Sequence, residues 1–163
     1  MLKRVKKRIG FYQTRFSFGS SSAIITNLGL IIGLDSVSNA KFSIIAGILV
    51  IALADNIADS FGIHVFQESE RLNQREIWFS TGTNFLTRLL VSLVFVLLIF
   101  FLPMKIAVIS SIIWGLSLLA FISYIIARDE EVNPYQAIAE HLGIALAVII
   151  LCEFIGKWLQ RLF

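Results

Sequence analysis

Residues 42–70 read FSIIAGILVIALADNIADSFGIHVFQESE, and this stretch decides how the chain folds. It begins as an ordinary membrane-spanning helix and then places Asp55 and Asp59 among apolar and small residues. It continues without a proline to Glu68 and Glu70. A carboxylate near the centre of a bilayer costs about 2.5–3.5 kcal/mol on insertion scales. Two carboxylates at this depth require a physical role, and we expect the other segments to surround them.

The composition indicates a membrane protein. Of the 163 residues, 57% are hydrophobic and 15% are charged, whereas soluble domains average about 45–50% and about 25%. The length predicts a single all-α membrane domain over residues 1–163. Basic residues concentrate in the segment 1–17, which indicates a cytoplasmic anchor at a lipid bilayer and no nucleic-acid partner. These are Lys3, Arg4, Lys6, Lys7, Arg8 and Arg15.

Five apolar segments predict five transmembrane helices, each near the roughly 20 residues that a bilayer requires. Pro103 predicts a tight turn between the third and fourth spans, because proline cannot continue helical hydrogen bonding. Pro134 suits the first turn of the fifth span. We expect the second helix to extend into the cytoplasm, where a short acidic segment occupies residues 67–84. The predicted spans are Phe18–Leu34, Phe42–Phe66, Phe85–Leu102, Lys105–Ala127 and Tyr135–Leu159.

The positive charges predict the orientation of the chain. Cytoplasmic loops carry an excess of lysine and arginine. A cytoplasmic N-terminus places the second and fourth loops on the same side, whereas the first and third loops offer only Lys41 and Lys105. The arginines of the cytoplasmic side are then Arg71, Arg75, Arg88 and Arg128.

A stripe of small and polar residues follows one face of the first span at steps of three and four. Gly29 and Gly33 form a GxxxG pair, which lets helix backbones approach closely in lipid. One interpretation is plain packing. The other is that the first and second spans pack together, or across a dimer axis, beside a polar pathway. The candidate pathway or packing residues are Ser22, Thr26, Asn27, Gly29 and Gly33.

A helical wheel at about 100° per residue sorts the acids of the second span. Asp55, Asp59 and Glu70 share one face, whereas His64 lies on the opposite side. Carboxylates are ligands for hard cations and for Fe(II) or Mn(II), and at membrane depth they also relay protons. The face therefore suits a cation pathway. The alternative is that both aspartates hydrogen-bond to neighbouring helices or pair with Arg88.

The sequence gives little support to an enzyme. It contains no P-loop, no HExxH zinc pair and no nucleophile elbow. Around Glu68, Glu70 and Glu76, the charges suggest a solvated helical turn with pairs between the glutamates and Arg71 or Arg75.

Two stretches resemble the vacuolar iron transporter family. Residues 19–33, GSSSAIITNLGLIIG, resemble the family's first span, in which a glycine-led polar start precedes an apolar, glycine-spaced helix. Residues 46–62, AGILVIALADNIADSFG, followed by QESE at 67–70, resemble its second span, in which a small, polar patch leads into an acidic segment. Five spans with a cytoplasmic N-terminus also fit this family.

The resemblance implies a homodimer in a prokaryotic plasma membrane that exports the divalent cations Fe(II) or Mn(II) in exchange for protons. It implies no permanently bound cofactor. Asp59 takes the position of the family's second-span glutamate. The family's first-span aspartate falls on Ser21 or Ser22 here, its second-span methionine has no counterpart, and we expect Asp55 to replace the missing acid. The metal ligands predicted on this basis are Asp55, Asp59, Glu68, Glu70 and Glu76.

Two further functions stay open. A non-transporting membrane scaffold would oligomerise through the small-residue stripe and use the aspartates for packing. A carrier for protons or a small organic cation would use the same carboxylates as a metal transporter. Whether Asp55 and Asp59 face a cavity or Arg88 is the observation that separates binding from structural pairing.

Overall fold

The computed structural model describes residues 19–130 and 132–162, which form helices and no strand. The predicted basic anchor at 1–17 lies outside this part of the chain. Short connections join successive helices, so neighbours in the chain pack antiparallel. In chain order the helices are α1 (Gly19–Leu34), α2 (Ala40–Ser69), α3 (Gln74–Phe101), α4 (Met104–Asp129) and α5 (Pro134–Leu162).

Helices α2 to α5 are each long and apolar enough to cross a membrane. The shortest, α4, has 26 residues and the longest, α2, has 30. At about 1.5 Å per residue, both exceed the roughly 30 Å hydrocarbon core of a bilayer. The chain is therefore an integral, multi-pass membrane protein. The described part of α1 runs only from Gly19 to Leu34, which is shorter than a membrane span requires. Four of the five predicted spans therefore reach spanning length.

Helix α1 lies among the other four helices. Its side chains Ile24, Leu28 and Ile31 are at most 1% exposed. Two leucines of α1 pack directly against glycines of neighbouring helices. A Cβ added at either glycine would lie 3.0 Å from the leucine side chain. The glycines are Gly47 of α2, which lies under Leu30, and Gly115 of α4, which lies under Leu28.

The two predicted proline boundaries are confirmed, whereas the predicted start of the third span is wrong. Helix α3 begins at Gln74 rather than at Phe85, with the Asn73 side chain accepting a hydrogen bond from the backbone N–H of Arg75 at 2.9 Å. The first turns of α3 contain polar side chains that hydrogen-bond to α2. A hydropathy profile does not identify such turns as helical. The predicted acidic segment 67–84 is therefore mostly helical, and residues 70–73 form the connection.

The GxxxG pair of α1 packs against α5 of the same chain. A Cβ added at Gly29 would lie 3.1 Å from the sulfur of Cys152. Gly33 lies against Gly156, where an added Cβ would overlap the Gly33 carbonyl oxygen. The small-residue stripe therefore serves an internal helix contact, and α1 meets α2 through a different residue, Leu30.

We expect Gly156→Ala to push α5 away from α1 and to lower the free energy of unfolding by about 1–3 kcal/mol, as overpacking does. The control is Gly143→Ala in the same helix, where an added Cβ has nothing within 4 Å. Thermal unfolding in detergent micelles measures both, with about 2–4 °C expected per kcal/mol. Equal melting temperatures for the two variants would contradict this close contact.

Candidate functional site

A buried arginine contacts both aspartates of α2. Arg88 of α3 donates through Nη2 to Oδ2 of Asp55 at 2.5 Å and through Nη1 to Oδ2 of Asp59. Its Nη1 also donates to the hydroxyl of Ser22 in α1 at 2.6 Å. Asp55 and Asp59 lie one helical turn apart, so both carboxylates reach one planar guanidinium. We call these four residues the Arg88 cluster.

The aspartates of the Arg88 cluster are accessible, whereas the arginine is not. The Arg88 side chain is 3% exposed, while those of Asp55 and Asp59 are 46% and 36% exposed. Arginine stays protonated in proteins, so the cluster carries a formal net charge of −1 with both carboxylates ionised and 0 with one of them protonated. The cluster therefore places two accessible carboxylates in front of a buried, fixed positive charge.

A glycine allows α1 to approach the stem of the arginine. A Cβ added at Gly19 would lie 2.7 Å from Oδ1 of Asn84 and 3.3 Å from Cγ of Arg88. The close approach brings Ser22, one turn further along α1, to the guanidinium. The glycine at the start of α1 thus allows the Ser22 hydroxyl to accept a hydrogen bond from Arg88.

An apolar groove begins beside the Arg88 cluster. It lies between α2 and α5, its floor is α1, and its volume is about 470 Å³, within the roughly 300–1,000 Å³ of small-molecule sites. Ile51 lines it one turn before Asp55, and Thr26 lines it one turn after Ser22. Residues four apart share a helix face, so the end of the groove lies one turn from the cluster on both helices. None of the four cluster residues lines the groove, and both aspartates face Arg88.

A seam of buried polar side chains joins α3 to α2 and, at one pair, to α1. Three amides donate to serines of another helix, at distances of 2.8 to 3.0 Å. Buried amide oxygens that have no partner among the described residues accompany them, and such groups in proteins usually bind ordered water. The amide–serine pairs are Asn27–Ser92, Gln67–Ser80 and Asn84–Ser60, and the amides with unpartnered oxygens are Asn27, Asn56, Gln67 and Asn84.

The hydropathy pattern of the chain does not predict this polar seam. Its signal was present, because Asn56, Ser60 and His64 recur every fourth residue and therefore share one face of α2. All three are buried. The prediction that His64 does not join the aspartates is confirmed, since its ring contacts Thr81 at 3.1 Å and Trp78 at 4.5 Å between ring centroids.

The structure separates the five predicted metal ligands into two groups. Asp55 and Asp59 belong to the Arg88 cluster, whereas the other three lie around the α2–α3 turn, which begins roughly 14 Å from Asp59 and roughly 20 Å from Asp55 along α2. There Glu68 accepts a hydrogen bond from Gln74 at 3.2 Å. Glu70 caps α2, which ends at Ser69, so the helical wheel does not extend to it. Glu76 lies in the first turn of α3.

Residues 19–130 and 132–162 contain no group of three or more His, Cys, Asp or Glu side chains arranged to hold a metal ion. The predicted pathway residues take different places. Ser22 belongs to the Arg88 cluster, Asn27 is buried in the seam, and Thr26, Gly29 and Gly33 line the groove.

The chain was also compared with known proteins. No protein-family model, no curated protein and no solved structure matches it. The resemblance to iron transporters in residues 19–33 and 46–70 accordingly stays a prediction, and the Arg88 cluster with its groove is the basis for a functional proposal.

Proposed function

We propose that this protein is a membrane carrier for a monovalent cation, which binds at Asp55 and Asp59 in exchange for a proton. The observation that supports the proposal is the Arg88 cluster, in which two half-exposed carboxylates share one buried guanidinium. With both carboxylates ionised, one negative charge is uncompensated.

Charge balance determines the valence of the cation. A net charge at membrane depth is unfavourable by several kcal/mol. One monovalent cation, or one proton, brings the formal charge of the Arg88 cluster to zero. A divalent cation would leave it at +1, with Arg88 fixed next to the metal. The cluster therefore favours a monovalent ligand over Fe(II) or Mn(II).

The same balance links the cation to the proton. One uncompensated charge accommodates either ligand, so the binding of one favours release of the other. This reciprocity is the basis for exchange transport. The half-exposed carboxylates allow the ligand to enter, and Arg88 prevents the empty site from holding two unbalanced negative charges.

A non-transporting scaffold is the second candidate, and two observations favour it. Asp55 and Asp59 face Arg88 and do not line the groove, which is the arrangement expected for structural pairing. Arg88 bonds to α1 through Ser22 as well as to α2 through Asp55 and Asp59, so the cluster also joins three helices. On this proposal the acids serve only to neutralise a structural arginine, and no cation exchanges with a proton.

Proton flux in proteoliposomes tests the proposal. Vesicles loaded with a pH-sensitive dye at acidic internal pH receive external tetramethylammonium, K⁺ or Mn(II). We expect a monovalent cation to drive proton release through the wild-type protein, and Asp59→Asn to abolish it. Asp35→Asn is the matched control, because Asp35 lies in the exposed turn after α1.

The outcomes separate the candidates. Proton release driven by Mn(II) alone would replace the monovalent proposal with the metal transporter. If neither a monovalent cation nor Mn(II) drives proton release, and thermal unfolding shows that the protein is folded, the scaffold is the remaining function.

A further inference from the structure

We infer that the cation is an amphiphile, whose charged group binds at Asp55 and Asp59 and whose hydrocarbon part lies in the groove above α1. The inference rests on the proposed cation binding and adds the class of substrate. An inorganic monovalent cation would use the carboxylates and leave the groove without a role.

The proximity of the groove to the cluster carries the first step. Ile51 and Asp55 are neighbours on one face of α2, and Thr26 and Ser22 are neighbours on the facing side of α1. A molecule that places a charge at Asp55 therefore extends over Ile51 and Thr26 into the groove. Its shape is that of a charged head attached to an apolar body.

The lining of the groove carries the second step. Apart from the hydroxyl of Thr26 and the thiol of Cys152, its side chains are hydrocarbon, and its floor includes Gly29 and Gly33. Such a surface does not bind a hydrated ion. It suits alkyl chains or aromatic rings, which pack against aliphatic side chains by dispersion.

Charge complementarity distinguishes this occupant from ordinary lipid. An acyl chain of a membrane lipid could fill the same groove, but an anionic headgroup would meet the net negative charge of the Arg88 cluster. A cationic amphiphile matches both the apolar lining of the groove and the negative charge of the Arg88 cluster. Because the groove lies between the membrane-spanning helices α2 and α5, the substrate enters from the bilayer, where amphiphiles accumulate.

Cys152 provides a direct test, because it lines the groove and is the sole cysteine of the chain. The protein is placed in phosphatidylcholine nanodiscs, and the rate at which N-ethylmaleimide alkylates Cys152 is followed by mass spectrometry. The probes are tetraphenylphosphonium, which has a large apolar body, and tetramethylammonium, which has none. Both carry a single positive charge.

We expect tetraphenylphosphonium to slow alkylation of the wild-type protein about tenfold or more, a factor that corresponds to about 1.4 kcal/mol. Tetramethylammonium should have no effect, and Asp59→Asn should remove the protection. Equal alkylation rates with and without tetraphenylphosphonium would overturn the inference. Protection that persists in Asp59→Asn would also overturn it, since it would indicate apolar partitioning alone.

The groove is tested separately by proton flux. We expect tetraphenylphosphonium to drive proton release at about tenfold lower concentration than tetramethylammonium in the wild-type protein. Ile51→Trp, which fills the groove, should reduce that ratio, whereas Leu49→Trp on the exposed side of α2 should not. If the two cations are equally effective, the amphiphile inference fails and the cation carrier stands. If neither cation drives release, the carrier itself fails.

Discussion

Arg88→Met should lower the free energy of unfolding by about 1.5–3 kcal/mol, the range for hydrogen bonds to charged groups, because the two aspartates that lose their partner are half-exposed. The substitution leaves Asp55 and Asp59 one turn apart without the guanidinium that both contact. It also removes the hydrogen bond to Ser22 that attaches α1. Thermal unfolding in detergent should show a decrease of about 2–4 °C for each kcal/mol.

The matched control for this loss is Lys157→Met. Lys157 also pairs with an acid, Glu153 at 2.5 Å, but its side chain is 58% exposed. Exposed pairs contribute about 0–1 kcal/mol, so the control should change little. Combining Arg88→Met with Asp55→Asn and Asp59→Asn removes both signs of charge and should recover much of the stability. Wild-type stability in Arg88→Met, or no recovery in the triple variant, would contradict the role of the cluster.

Asp55→Asn and Asp59→Asn should each weaken cation binding strongly, because each changes the formal charge of the ionised Arg88 cluster from −1 to 0. Close charge pairs contribute about 2–5 kcal/mol to binding, so affinity should fall roughly 30-fold or more. Each single variant keeps one carboxylate on Arg88, which neutralises the arginine and preserves the fold. Equilibrium binding of radiolabelled tetraphenylphosphonium in nanodiscs measures the loss.

Asp59→Glu is the control for this charge count, since it retains the net charge of −1 and changes only the length of the side chain. It should bind the cation within about tenfold of the wild-type affinity. A similar loss in Asp59→Glu and Asp59→Asn would show that geometry, not charge, controls binding. Undiminished binding in both asparagine variants would exclude the two aspartates as the cation site.

The hydropathy of the chain was sufficient to predict most of the helical architecture. The prolines at 103 and 134 marked helix ends because proline cannot donate the backbone hydrogen bond that a helix interior requires. The start of α3 was not predicted, since Ser80 and Asn84 look like loop residues until their partners Gln67 and Ser60 on α2 are known. Counting apolar residues along the sequence does not detect polar helical turns that hydrogen-bond to a neighbouring helix.

The candidate site was predictable only in part. The wheel placed Asp55 and Asp59 on one face, and Arg88 was named as their possible partner, but nothing in a sequence determines whether a cation or an arginine lies between two acids. The GxxxG pair predicted a close helix contact without identifying α5 as its partner, because small residues are compatible with any neighbouring helix. The groove depends on three helices together and has no signature in any one of them.

Proton release on cation binding is the most direct test of cation–proton exchange. Purified protein in nanodiscs is titrated with tetraphenylphosphonium in weakly buffered solution over a range of pH values, and the protons released are counted against the cations bound. If one uncompensated charge is shared between the two ligands, the ratio should reach about one at its maximum and fall to zero in Asp59→Asn. Cation binding without proton release across this range, or release that persists in Asp59→Asn, would contradict the account.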